Sequence, residues 1–192
     1  MQQQIQDYFK GHLATLRQMS ETMLEPLAEA ALVIAATLER GNKLLIAGNG
    51  GSAADAQHFA AEMVGRFLRE RRALPAIALT TDSSILTAVG NDYGFDQIFS
   101  RQVDALAVAG DLFIGISTSG NSPNVCCAAE TAAARDCGVL VLVGGQGGRL
   151  AKLSENVLVI PSSFTPHIQE GHLLVIHLLC LLVENRLAAL EN

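Results

Sequence analysis

Apolar residues recur at helical spacing over 3–18 and again over 21–40, with Ser20 placed to cap the second helix and Gly41 to stop it. Beyond Gly41 the pattern changes to short, almost wholly apolar runs at 43–47, 76–79, 111–116, 139–143 and 157–160. Such runs are the mark of strands buried on both faces. Helical stretches at 52–66, 83–89, 94–107 and 122–136 separate them, and a last one covers roughly 166–190. This alternation predicts an α/β fold: a three-layer sandwich around a five-stranded parallel sheet of flavodoxin/Rossmann-like type, preceded by N-terminal helices. With no repeat, low-complexity tract or linker, residues 1–192 read as one domain, whose first 41 residues contribute to packing between subunits.

Open parallel sheets bind ligands beyond the carboxyl ends of their strands, where successive connections diverge. Two polar loops fall there: Gly48-Asn49-Gly50-Gly51-Ser52 after the first strand and Ser117-Thr118-Ser119-Gly120-Asn121-Ser122 after the third. Hydroxyls leading into a helix that starts near Pro123 make a phosphate cradle, because a helix start offers unpaired N–H groups and the positive end of its dipole. A plain cap and turn would use the same residue types. Gly48, Gly50 and Ala53 also satisfy the dinucleotide-binding spacing. That reading requires an acidic residue at the end of the second strand, and Asp82 lies too far along.

His58 and Glu62, one turn apart, project from one helix face among apolar neighbours, and such a pair suits metal binding or acid–base work. In the last helix, Gln169, Glu170, His172 and His177 interrupt an aliphatic run. Gln169 and His177 stand about 12 Å apart along the axis, so both would reach one ion only with stretched side chains or with help from a neighbouring subunit. His172 and His12 read as satisfied core histidines. Asn91-Asp92, after the helix 83–89, fits a turn equally well as a contact to sugar hydroxyls.

A net charge of −6 and a basic cluster, 66–72, that contains Glu70 and has little aromatic company argue against a nucleic-acid surface. The apolar run 173–183 is broken by His177 and ends at Glu184, short of the ~20 residues of a membrane span. The opening Met1-Gln2-Gln3-Gln4 has no leader character, so a cytoplasmic protein is expected. Cys126, Cys127, Cys137 and Cys180 lack metal-site spacing and read as free, core-filling thiols. A hydrophobic content of 49% favours a homo-oligomer.

Taken together, the runs Gly48–Ser52, His58-Phe59-Ala60-Ala61-Glu62, Gly90-Asn91-Asp92, Ile116–Ser122 and Ile168-Gln169-Glu170 with His177 resemble the sugar isomerase (SIS) domain family, and within it the bacterial phosphoheptose isomerases, nearly end to end. The resemblance implies a homotetramer with active sites between subunits. It implies Ser117, Thr118, Ser119 and Ser122 on the sugar phosphate, with Ser52 assisting, and Asn49, Gly50, Gly51, Asn91 and Asp92 on the sugar. Glu62 and Gln169 would contact substrate too. One zinc ion per subunit would be held by His58, Glu62, Gln169 and His177.

The implied reaction interconverts D-sedoheptulose 7-phosphate and D-glycero-D-manno-heptose 7-phosphate through an enediol and supplies heptose for lipopolysaccharide. Glu62 would act at carbon and His177 at the oxygens. Departures from the family are His167, where arginine is common, and Gly171, where a bulkier apolar residue is usual. The competing readings are a non-catalytic SIS scaffold that binds a replication initiator, and an isomerase or sensor for another sugar phosphate. The scaffold relatives replace the glutamate and the final-helix histidine, and this chain keeps both.

Overall fold

The computed structural model describes residues 1–189. Two helices, α1 (Gln2–Thr22) and α2 (Leu24–Glu39), lead into the alternating unit β1 (Leu44–Gly48), α3 (Gly51–Val64), β2 (Ala76–Ala78), α4 (Ser83–Tyr93), α5 (Ser100–Leu106), β3 (Leu112–Ser117), α6 (Pro123–Ala134), β4 (Gly138–Gly144), β5 (Asn156–Ile160) and α7 (Thr165–Ala188). The five strands form one sheet in the order β2-β1-β3-β4-β5, every pair parallel. The expected fold class holds.

Side chains alternate across the strands, so two cores form. Leu44 and Ile46 join Leu112 and Ile114 under α2, α3 and α7, whereas Leu45, Ala47 and Phe113 pack on the opposite face with α5 and α6. In this strand order the connections leave β1 and β3 in opposite directions, which opens a crevice between them. Gly48 pairs with Ile116 in the β1–β3 register, so the glycine and serine loops emerge side by side.

Several boundaries differ from expectation. Ser20 caps nothing: it lies inside α1 and donates its hydroxyl to the Arg17 carbonyl. The break falls at Met23, because Pro26 has no N–H to offer Thr22 and its ring would crowd that carbonyl. The helix after β2 runs on to Tyr93, so Asn91 and Asp92 occupy its last turn rather than a following loop. Gly94, at φ +90°, then stops it. The stretch 94–107 divides into a 3-10 turn, Phe95–Gln97, and α5, with the Ser100 hydroxyl bonding Gln97 at the junction. Although α7 is apolar and 24 residues long, Val175, Ile176, Leu179 and Val183 are buried in the core it shares with the sheet.

Candidate active site

Gly51, Asp55, His58 and Glu62 follow one another at spacings of four, three and four, so they form one stripe down α3 from the glycine loop. Helix α7 lies alongside in the same direction. The Gln169 amide packs so closely on Gly51 that a Cβ there would collide with it. Two turns further on, His177 meets His58, with Nε2 to Nε2 3.0 Å. One ring must carry the proton that the other accepts. Glu62 Oε1 lies 3.5 Å from the same His58 nitrogen, with His58 40% and Glu62 23% exposed, so the trio is half-sheltered yet open to a small molecule. The Phe67 ring stacks on His177 at 5.7 Å between centroids and 26° between planes.

His58, Glu62 and His177 thus converge in one chain. Gln169 does not join them; it stands at the level of Gly51, as its spacing from His177 requires. Among the described residues no set of three or more His, Cys, Asp or Glu side chains closes into a metal cage. His58 is the hub that touches both its neighbours.

Asp55 went unnoticed in the sequence, where it reads as an ordinary polar helix position. Its Oδ2 is buried without a hydrogen-bond partner. Burial pushes its carboxyl pKa up to about 6, against the nearby His58, which pulls it down.

On the neighbouring loop, Ser117 and Ser122 face one another, Oγ to Oγ 2.9 Å, so Ser122 leads into α6 without capping it. The Asn121 backbone N–H donates to the Ser119 hydroxyl at 3.1 Å, and the Asn121 side chain accepts from the Arg149 N–H at 2.9 Å. Gly120, at φ +64°, sits against the Gly147 carbonyl where any Cβ would collide. The Thr118 hydroxyl bonds none of the described groups. A second residue missed in the sequence, Asn124, is buried behind this loop. It exchanges two amide hydrogen bonds with Asn49, at 2.8 and 2.9 Å, tying the glycine loop to the serine loop. Ser52 is buried at the start of α3.

Asn91 and Asp92 are exposed and bond each other at 2.7 Å, with no hydrogen bond to either loop. Asp82 caps α4 by accepting from the Ile85 N–H, which gives it a structural task in place of ribose binding.

His12 is not a core residue. It is partly exposed and pairs with Glu170 at 2.6 Å, while Tyr8 donates to the other Glu170 oxygen. His167 packs its ring among Tyr8, His12 and Phe164, at the junction of α1 and α7. Gly171 is explained by Ile160, which a Cβ would approach to 2.8 Å. His172 is fully buried, and desolvation lowers its pKa to about 4, so it stays neutral. Within the basic cluster Arg71 is buried, its Nε 3.2 Å from Glu184, whereas Arg66 and Glu70 are exposed. The four thiols are free, and burial pushes that of Cys180 up to about 12.

The SIS domain family profile matches residues 7–144. The chain is 56% identical to the phosphoheptose isomerase of Trichlorobacter lovleyi over 187 residues, covering 97% of this chain and 95% of that one. Two solved structures superpose on it. Phosphoheptose isomerase GmhA from Neisseria gonorrhoeae has a TM-score of 0.91 at 45% identity, covering 96% of this chain and 98% of its own. A phosphoheptose isomerase from Francisella tularensis has a TM-score of 0.93 at 39% identity, covering 95% and 97%.

Proposed function

Because this chain belongs to the SIS domain family and within it to the phosphoheptose isomerases, we propose that it interconverts D-sedoheptulose 7-phosphate and D-glycero-D-manno-heptose 7-phosphate. It is an aldose–ketose isomerase whose product feeds heptose supply for lipopolysaccharide. The observation that carries the reading is the meeting of Glu62 and His177 on His58, along a stripe that begins at the glycine loop.

The shift of a carbonyl between C1 and C2 needs a base at the carbon and an acid–base group at the oxygens, through an enediol. Glu62 is assigned to the carbon, where its carboxylate takes a proton from one position, exchanges it with water and delivers one to the other. His177, held by the Phe67 ring and by His58, serves the oxygens. At the other end of the sugar, Ser117, Thr118, Ser119 and Ser122, with Ser52 beside them, receive the phosphate at the α6 start. Asn49, Gly50, Gly51 and Gln169 face the sugar between these two ends. Asn91 and Asp92, exposed at the α4 end, fit a sugar contact made across a subunit boundary.

His58, Glu62 and His177 would supply two imidazole nitrogens and a carboxylate oxygen, ligand types that zinc takes. His58 Nε2 lies 3.0 Å from His177 Nε2 and 3.5 Å from Glu62 Oε1, and the three would have to draw together around the ion to close a site. When bound, zinc would polarise the carbonyl oxygen as a Lewis acid. Gln169 serves the substrate in its own chain; as a fourth ligand it would have to come from a neighbouring subunit.

A homotetramer with sites between subunits also suits the apolar positions left open on α1, where Ile5, Phe9 and Leu13 face outward, and the absence of any buried residue from α4. The cytoplasm suits a sugar-phosphate enzyme with four free thiols. The test is to follow sedoheptulose 7-phosphate by NMR with purified protein. Appearance of the heptose aldose supports the reading; no turnover by a folded, phosphate-binding protein would move it to another sugar phosphate or to a scaffold.

A further inference from the structure

Glu184 is 2% exposed in the apolar part of α7, where a carboxylate requires donors and a counter-charge. It has both. The backbone N–H groups of Phe67, Leu68 and Arg69 donate to it at 3.3, 3.0 and 2.9 Å, so the chain leaving α3 wraps around this one carboxylate. Arg71, 7% exposed, completes the charge balance at 3.2 Å.

The rest of the guanidinium binds backbone carbonyls, two of them in α3, with Nη1 also on the Arg72 carbonyl at 3.0 Å. Nη2 donates to the Glu62 carbonyl at 2.8 Å and Nη1 to the Met63 carbonyl at 2.9 Å. These are acceptors that a helix end leaves without intrahelical partners, and a cation there also meets the negative end of the dipole. Phe67, whose N–H is on Glu184, lays its ring on His177, two turns up α7. A closed circuit results: Glu62 backbone, Arg71, Glu184, α7, His177, with Phe67 as a cross-brace.

We propose that Arg71 and Glu184 are positioning residues for the isomerase site, fixing Glu62 through its backbone carbonyl and His177 through the Phe67 ring. The proposal rests on the isomerase reading for what is being positioned. Neither side chain touches substrate. Their effect is to hold a carbon-directed carboxylate on one helix at a set distance from an imidazole on another, an arrangement in which displacement by about 1 Å costs up to a hundredfold in rate. An ion pair retained only for stability would tolerate neutral replacements that keep its backbone N–H groups bonded, with kcat unchanged.

Two variants read it. Arg71→Lys keeps a charge opposite Glu184 but loses the fork that spans two carbonyls. Arg71→Met/Glu184→Gln removes both charges, while the amide oxygen at 184 can still accept from the Phe67, Leu68 and Arg69 N–H groups. Both are expected to lower kcat about tenfold to a hundredfold per folded chain, with KM for sedoheptulose 7-phosphate within about twofold, because the phosphate loops are untouched. A second readout is independent of turnover: the imidazole NMR signals of His58 and His177 should shift in both variants. Wild-type kcat together with unshifted imidazole signals, even with a lower Tm, would overturn the proposal. Absence of turnover in the wild type with shifted imidazole signals in the variants would count against the isomerase reading and leave the clamp standing.

Discussion

Asn124, buried at the start of α6, holds Asn49 of the glycine loop in a reciprocal pair of amide hydrogen bonds. Two loops from different strands therefore keep a fixed spacing, which the proposed binding of a sugar phosphate across them would use. Asn124→Ala leaves the Asn49 amide without its partner, and the loss of such a group costs about 1–3 kcal/mol. Urea unfolding should show that loss of stability, and KM should rise as the loops separate. An unchanged midpoint and KM would mean that the pair holds nothing in place.

Thr118 offers a hydroxyl that no other described group uses. Thr118→Val keeps its shape and removes the donor. KM for the sugar phosphate, and the inhibition constant of inorganic phosphate, should rise about tenfold with kcat unchanged, the signature of binding shared by ground and transition states. A fall in kcat at constant KM would place Thr118 at the reacting end instead.

His172 titrates against stability. Its folded-state pKa is lowered from 6.5 to about 4, so the folded protein binds fewer protons than the unfolded chain between those values. Its contribution is complete above pH 6.5, declines as pH falls, and is lost once pH passes below 4. At about 1.4 kcal/mol per unit this amounts to on the order of 3 kcal/mol. Asp55, raised from 3.8 to about 6, has the opposite slope over much of the same window. The difference between the wild-type and His172→Leu stability curves removes that common term and should show the histidine's slope alone. A flat difference would mean that His172 is not neutral in the fold.

His58 touches both Glu62 and His177, so His58→Ala removes the hub of the proposed zinc site. Metal analysis should fall from about one zinc per chain to near none while circular dichroism keeps the helical signal. Zinc retained in full by the variant would exclude this set of ligands.

The sequence revealed most where local rules decide. Five apolar runs foretold five parallel strands, and the positions of the glycine and serine loops after the first and third foretold the crevice. His58 and Glu62 were legible as a pair because helical spacing is enough to put them on one face. What remained hidden depended on distant partners. Arg71 stands in a basic cluster whose partners the sequence does not name, and only the packing of α7 against the end of α3 brings Glu184 to it. Nothing in the sequence signals that the Asp55 Oδ2 is buried, or that Asn124, next to Pro123, reaches across to Asn49. Ser20 misled for a local reason: Pro26 further on had the stronger claim on where the helix breaks.

The proposed isomerisation turns on proton transfer at carbon by Glu62. In deuterated water, the wild-type enzyme acting on sedoheptulose 7-phosphate should place solvent deuterium at C2 of the heptose aldose, read by NMR. Glu62→Gln should lower that rate by about a hundredfold or more while phosphate binding is kept. Aldose formed without solvent label, or labelled at the wild-type rate by Glu62→Gln, would contradict it.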